Sequence, residues 1–185
     1  MKKILVIGGS NSIKSINKKL AIYAAKKLEN VQLNIIDLND FVMPIYGIDY
    51  ELEYGIPEKA LEFDHIISET DALIISLAEH NGSYSVAFKN ILDWLSRIDQ
   101  KVWKNKPMLL MATSPGKRGG ANVLEAAKKF FPHLGGNIVA DFILPSYNAN
   151  FNEKGINNDE YEKLLVEAVA VLNKAFNSGI HSIKS

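Results

Sequence analysis

The sequence predicts an α/β protein built on a five-stranded parallel β-sheet with helices on both faces. Short apolar runs alternate with helix-length amphipathic segments five times along the 185 residues, which is the pattern of βαβ units. Two of these runs, residues 72–77 and 108–112, are apolar at nearly every position, as strands buried on both faces must be. No repeat or linker divides the chain, so we expect a single domain over residues 1–185.

The strands and helices follow from these patterns in chain order. We predict strands at residues 4–7, 32–38, 72–77, 108–112 and 138–143. The apolar stripes expected to face the core are Leu20, Tyr23, Ala24 and Leu28 in the first helix and Phe88, Ile91, Leu92, Leu95 and Ile98 in the third.

Two residues mark where helices begin. Pro57 is predicted as the first residue of the second helix, because its missing N–H costs nothing there. Asn158 is predicted to cap a final helix over residues 159–176. Residues 178–185 are expected to form a loose tail.

Composition excludes several classes of function. The 21 basic and 21 acidic residues balance, so no global field draws the chain to nucleic acid or an anionic membrane, and we expect neither partner. The absence of cysteine excludes thiolate metal sites and cysteine nucleophiles, and the histidine spacing predicts no metal site. The apolar run after Met1 is too short for a signal peptide or a membrane span, which predicts a cytoplasmic protein. Redox chemistry would require a bound cofactor.

The loop after the first strand has the composition of a phosphate-binding loop. Glycines free its backbone, Ser10, Ser12 and Ser15 offer hydroxyl donors, Lys14 adds a positive charge, and a helix N-terminus follows at Asn17. The spacing is neither GxGxxG nor that of the nucleoside-triphosphate loop. A plain connection remains the alternative.

Two further polar, glycine-containing loops follow the third and fourth strands, at residues 78–85 and 113–121. The first of them, which includes Ser83, is read either as a ligand loop or as an ordinary turn. In the strand order 2-1-3-4-5 the first, third and fourth strands are neighbours, so all three loops would converge at one edge. That edge suits a flat ligand with a phosphate tail.

The connection over residues 39–55 is long and unusually apolar, with Phe41, Met43, Ile45 and Tyr46 among its residues. Such a segment packs onto its own domain, lines a pocket or meets a second subunit. We favour the subunit interface.

Taken together, these motifs resemble the NADPH-dependent FMN reductase family, which includes bacterial quinone, chromate and azo-dye reductases. The resemblance extends over residues 3–143, with all motifs in order. It rests on Gly9, Ser10, Ser15 and Asn17; on residues 79–83 with Lys89, Asn90, Asp93 and Trp94; and on residues 113–116 with residues 118–121.

The resemblance implies a flavodoxin-like three-layer sandwich that binds FMN non-covalently as a homodimer or homotetramer. It also implies a hydride passed from NADPH or NADH through the flavin to a quinone-like, azo or metal-oxyanion acceptor, or to free FMN, with no catalytic side chain required. Residues matching the family's phosphate loop are Ser10, Ser15, Ile16 and Asn17. Residues matching its two loops around the flavin ring are Glu79, His80, Asn81, Gly82, Ser114 and Gly116, and Arg118 lies beside this second group.

The chain departs from the family at three positions. Many members carry arginine where this chain has Ser12, proline where it has Ala78 and tyrosine where it has His80. Either Lys14 compensates for the arginine as a point charge, or FMN binds weakly and is lost on purification, or FMN acts as a substrate instead of a fixed cofactor. The alternatives to a reductase are a flavodoxin-type electron carrier, although such carriers are generally acidic, and a flavin-free binding protein.

Overall fold

The computed structural model describes residues 1–178. Its strands are β1 Lys2–Gly9, β2 Val31–Ile36, β3 Ala72–Leu77, β4 Glu79–His80, β5 Ser83–Tyr84, β6 Pro107–Thr113, β7 Asn137–Leu144, β8 Phe151–Asn152 and β9 Gly155–Ile156. Its helices are α1 Ile16–Ala25, α2 Ile48–Tyr54, α3 Glu58–Ser68, α4 Val86–Ile98, α5 Ala121–Phe130, α6 Tyr147–Asn150 and α7 Asp159–Asn177, with 3₁₀ helices at Leu38–Phe41 and Phe131–Leu134.

Five parallel strands form the central sheet in the order β2-β1-β3-β6-β7. Numbered among themselves, these strands have the order 2-1-3-4-5, so the predicted flavodoxin-like fold is confirmed. In the middle of the sheet Val6 of β1 pairs with Ile35 of β2 and with Ile74 of β3. β1 and β3 are therefore adjacent, and the chain leaves them toward opposite sides of the sheet.

The two faces of the sheet bury separate hydrophobic cores. Because side chains alternate along a strand, Leu5 and Ile7 of β1 pack with α3, α4 and α5 on one face. Ile4 and Val6 pack with α1 and α7 on the other. The sheet therefore lies between two helical layers and is fixed on both sides.

Gly8 allows α1 to begin close against the end of β1. A Cβ atom at this position would lie 2.6 Å from the Lys18 Cα atom, which no real side chain tolerates. The absence of a side chain thus brings the first turn of α1 directly over the carboxyl end of the central strands.

Several element boundaries differ from the predictions. β2 ends at Ile36, not at residue 38, because the Asp37 carboxylate accepts the Asn39 amide and begins a 3₁₀ helix. Pro57 is the N-cap of α3, whose first residue is Glu58. Leu28 lies beyond the end of α1, although it is buried.

The final helix agrees with its prediction. α7 covers Asp159–Asn177, and the Asn158 side chain caps it by accepting the amides of Glu160 and Tyr161. A side-chain acceptor at this position satisfies N–H groups that the helix itself cannot.

The connection over residues 39–55 contains regular structure that was not predicted, namely most of a 3₁₀ helix and all of α2. Its first part packs on the domain itself, with Phe41 and Met43 buried in the core. Asn90 and Trp94 of α4 both donate hydrogen bonds to the Pro44 carbonyl, at 3.0 and 2.8 Å. Further apolar side chains of the segment stay exposed, namely Val42, Ile45, Ile48, Leu52 and Tyr54.

Residues 1–178 contain no helix that is long and apolar enough to cross a membrane. Within the same residues, no group of three or more acidic or histidine side chains is placed to hold a metal ion. The predicted tail after Ser178, including His181, lies outside the described residues.

Candidate active site

A cavity of about 210 Å³ opens at the carboxyl-end edge of the sheet. The connections that leave β1, β3 and β6 form its walls, and these strands are neighbours. Ligands of open α/β sheets bind at such an edge, where successive connections run to opposite sides. The lining consists of Ser10, Ser12, Lys14, Ser15, Ile16, Asn17, Ala78, Glu79, His80, Thr113, Ser114 and Pro115.

Most of the residues predicted to bind a cofactor belong to this lining. The structure brings every predicted ligand of the phosphate loop together with the start of each of the other two loops. Three lining residues had not been predicted as ligands, although each is adjacent in sequence to one that had. The predicted residues outside the lining are Asn81, Gly82, Ser83, Gly116 and Arg118.

The first turn of α1 has unused backbone donors beside the cavity. The Ser15 hydroxyl caps this helix by accepting the Lys18 amide at 3.1 Å. The amides of Ile16 and Asn17 have no acceptor within residues 1–178, and both residues line the cavity. Because a helix N-terminus carries partial positive charge, this arrangement suits an anion such as phosphate.

A cation and a hydroxyl accompany these amides. Lys14 is exposed, lines the cavity and forms no ion pair within the described chain, whereas Lys18 is paired with Asp37 at 2.6 Å. The Ser10 hydroxyl oxygen accepts the Ser12 amide at 3.1 Å, so its own proton is available to a ligand. Positive charge and hydrogen-bond donors are therefore concentrated in one loop.

Two buried polar side chains join the loops of the site. The Asn17 side chain accepts the Ser76 hydroxyl at 2.7 Å and the Thr113 amide at 3.0 Å, and donates to the Thr113 carbonyl at 3.1 Å. The Ser85 hydroxyl donates to the Gly9 carbonyl at 2.8 Å. The side chain of Asn17 thus positions the loops, and its backbone amide is the part available to a ligand.

The N-terminus of α5 differs from that of α1 because a carboxylate of the protein occupies it. Gly120 at its N-cap has no side chain, and the Glu79 carboxylate instead accepts the Val123 amide at 3.0 Å and the Asn122 side chain at 3.3 Å. Asn122 in turn accepts Arg118 at 2.6 Å. Because the Glu79 carboxylate already occupies the N-terminus of α5, an anionic ligand is favoured at the N-terminus of α1 instead.

The loop after β3 is a tight hairpin, not an irregular connection. Its strands β4 and β5 are joined by Asn81 and Gly82 at φ of 52° and 78°, as a two-residue type I′ turn requires. The base of the hairpin is anchored by Tyr84, whose ring stacks on Phe131 at 6.2 Å between centroids. Burial raises the pKa of Tyr84 to about 12, so it remains protonated at neutral pH. His80 is exposed and lines the cavity.

Asp37 supports the phosphate loop from the side of β2. Its carboxylate is paired with Lys18 and accepts the backbone and side-chain amides of Asn39, at 2.9 and 2.7 Å. Asn39 in turn donates to the carbonyl of Asn11 within the loop at 3.1 Å. Hydrogen bonds from Lys18 and the Asn39 amide lower the pKa of Asp37.

Comparison with known proteins decides the family. The model of the family described as NADPH-dependent FMN reductase matches residues 2–151. The chain belongs to the NADPH-dependent FMN reductase family. The resemblance in the sequence motifs is thereby confirmed, and the protein is an enzyme of the oxidoreductase class that its family name describes.

Named relatives support this assignment. A 2-hydroxy-1,4-benzoquinone reductase of a Burkholderia species is 36% identical over 121 residues, which are 64% of either chain. A quinone reductase of Pseudomonas putida is 31% identical over 128 residues, 68% of this chain and 67% of that one. The alignments thus span about two thirds of the length of these two relatives.

A solved structure covers nearly the whole chain. The flavoenzyme NAD(P)H:acceptor oxidoreductase FerB of Paracoccus denitrificans superimposes with a TM-score of 0.77 at 25% identity, covering 96% of this chain and 98% of that one. The fold, including the part that follows residue 151, is therefore similar to that of a flavoenzyme.

Proposed function

We propose that the protein is an FMN-dependent NAD(P)H oxidoreductase that reduces a quinone-like, azo or metal-oxyanion acceptor, or free FMN. The observation that carries this proposal is the open N-terminus of α1, where two unpaired amides and an unpaired lysine of the described chain border the cavity. FMN, when bound, supplies the redox chemistry by taking a hydride from NAD(P)H at its N5 atom and passing it on.

The residues of the first loop fit the phosphate of FMN. In this proposal the amides of Ile16 and Asn17 and the ammonium of Lys14 bind the phosphate oxygens, and the hydroxyls of Ser10 and Ser12 donate further hydrogen bonds. Hydrogen bonds to a charged group are about twice as strong as neutral ones. Lys14 then supplies the charge that an arginine at position 12 gives many family members.

The other two loops fit the flavin ring. The β4–β5 hairpin, with His80 and its exposed turn, and the loop of residues 114–116 would hold the ring between them. Backbone amides of these loops would orient the ring and leave it accessible to the nicotinamide and the acceptor. The chain binds and orients, and no side chain acts as a nucleophile or acid.

Turnover tests this proposal directly. The purified protein is mixed with FMN and NADPH, and the nicotinamide absorbance is followed with menadione as acceptor. We expect steady NADPH oxidation that depends on both FMN and protein. FMN binding without NADPH oxidation would favour an electron carrier, and a protein that binds no FMN would overturn the proposal.

We also propose that the protein is a homodimer or homotetramer and that the whole chain is one FMN-binding domain. Val42, Ile45 and Leu52 are 77, 78 and 79% exposed on a segment whose Pro44 and Tyr46 backbones are hydrogen-bonded to α4. Exposed apolar side chains on one segment favour an interaction site, and a second copy of the chain is the occupant we propose.

A further inference from the structure

The segment that follows β7 holds the loop of residues 114–116, which we call the ring loop. Ser114 and Pro115 of this loop line the cavity. The Tyr147 amide donates to the Ser114 carbonyl at 3.0 Å, and the Ser146 amide donates to the Gly116 carbonyl at 2.9 Å. Two consecutive amides of one segment thus fix two carbonyls of the ring loop.

Close packing adds to these hydrogen bonds on either side of the ring loop. Before it, the buried Thr113 hydroxyl donates to the Leu144 carbonyl at 2.6 Å. After it, a Cβ atom on Gly119 would lie 2.9 Å from the Pro145 Cα atom, so only a glycine permits this approach. The ring loop therefore lies between two residues, Thr113 and Gly119, that contact the end of β7 and the residue after it.

The backbone of Ser146 makes this attachment possible. Ser146 has φ of 46° and ψ of 56°, the left-handed region that residues other than glycine rarely occupy. The Ser146 carbonyl accepts the amides of Ala149 and Asn150, and the Asn150 side chain donates to the Pro145 carbonyl at 2.8 Å. Within residues 1–178 the Ser146 side chain makes no capping hydrogen bond. The ring loop therefore depends on the backbone conformation of Ser146 and not on its hydroxyl.

We propose that Ser146 is a positioning residue whose left-handed backbone holds the ring loop in the conformation that binds the flavin ring. This inference rests on the proposed function. Unusual backbone conformations persist where surrounding contacts enforce them, and they concentrate at functional sites. Ser146 acts through the ring loop, so losing its conformation weakens binding of the ring and leaves phosphate recognition at α1 intact.

A matched pair of variants separates this role from a general loss of stability. Ser146→Val keeps the amide but disfavours φ above zero, because β-branched residues are strongly strained there. Asn105 provides the control, since it has φ of 56° and its amide donates to the Gly135 carbonyl at 2.9 Å. Asn105 lies just before β6, at the amino ends of the parallel strands and therefore away from the candidate active site. Ser146→Gly adopts the same conformation without strain, so it shows whether loss of the serine side chain alone changes folding or binding.

Binding of riboflavin, which has no phosphate, is measured by quenching of flavin fluorescence. We expect Ser146→Val to weaken riboflavin and FMN binding by the same factor, about tenfold. Asn105→Val should lose similar stability in urea unfolding yet bind flavin as the wild type does, and Ser146→Gly should bind normally. Equal flavin affinity in Ser146→Val and Asn105→Val would overturn the proposal.

Hydrogen exchange of the amides of Ser146 and Tyr147, followed by NMR, gives a readout that needs no flavin. We expect both amides to be protected in the wild type and in Asn105→Val, and to exchange faster in Ser146→Val. If the wild type binds no flavin, the proposed function fails, and exchange alone decides whether Ser146 holds the ring loop. Unchanged exchange in Ser146→Val would contradict the inference.

Discussion

The side chain of Asn17 stabilises the fold, although the residue belongs to the proposed phosphate-binding loop. Replacing it with alanine leaves the Ser76 hydroxyl and both backbone groups of Thr113 without their partner. A buried polar group without a partner costs about 1–3 kcal/mol, so we expect Asn17→Ala to lower the free energy of unfolding by about 3 kcal/mol. Urea unfolding measures this.

The exposed Asn34 of β2 provides the control for that measurement. Asn34→Ala should change the free energy of unfolding by less than about 0.5 kcal/mol. An Asn17→Ala protein as stable as Asn34→Ala would show that the buried network does not stabilise the fold.

Asp37 predicts a dependence of stability on pH. Its pKa is lowered from 3.8 in the folded protein by Lys18 and the Asn39 amide, so the ionised carboxylate stabilises the fold above pH 3.8. This contribution is lost as the pH falls through the folded pKa. We expect Asp37→Asn to be less stable than the wild type by about 0.5–1 kcal/mol at neutral pH, and the difference to shrink below pH 3.8.

Urea unfolding across this pH range checks the prediction, with Glu29→Gln as the control because Glu29 is exposed and unpaired within the described chain. That variant should follow the wild type at every pH. A wild-type advantage over Asp37→Asn that grows on acidification would have the wrong sign and would refute the assignment.

Helix α5 depends on a cap from another element. Glu79 of β4 satisfies its first turn where Gly120 has no side chain to do so. Loss of a helix cap costs about 1–2 kcal/mol, so we expect Glu79→Ala to lower the free energy of unfolding by that amount. Glu125, on the exposed surface of the same helix, should tolerate alanine within about 0.5 kcal/mol. Equal losses in chemical denaturation would contradict the capping role.

The elements differ in how far local sequence determines them. β3 was predicted with its observed bounds because its six consecutive buried residues are apolar at every position except Ser76. The hairpin of β4 and β5 was missed, since two-residue strands are too short to show an alternation. α2 was missed because none of its residues is fully buried, so no apolar stripe marks it. Its position is determined by contacts, such as the packing of Tyr50 against Trp94.

The same limit applies to the site. The phosphate loop was readable because its donors are contiguous in sequence and precede a helix. Asn122 and Ser146 are brought to the site only by the fold. Asn122 donates a hydrogen bond to Glu79 of the β4–β5 hairpin. The Ser146 amide, in the segment after β7, donates to the Gly116 carbonyl in the loop after β6. Neither belongs to a glycine-rich run after a strand, so no local pattern marks them.

At the scale of the whole molecule, the exposed apolar surface predicts self-association. We expect the wild type to sediment as a dimer or tetramer and Ile45→Asp to sediment as a monomer, because a carboxylate cannot be buried unpaired in an apolar interface. Val171→Asp, at a position 46% exposed on α7, should associate as the wild type does. A monomeric wild type in analytical ultracentrifugation would rule out this interface.

The proposed function depends on the N-terminus of α1 and Lys14 binding the phosphate of FMN. FMN and riboflavin affinities are measured for the wild type, Lys14→Ala and the control Lys19→Ala, whose lysine is exposed and outside the cavity lining. A charged hydrogen bond contributes about 1.5–3 kcal/mol. We therefore expect the wild type to prefer FMN, and Lys14→Ala alone to lose FMN affinity by at least about tenfold with riboflavin binding unchanged. Equal wild-type affinity for FMN and riboflavin would show that this helix end does not bind the phosphate.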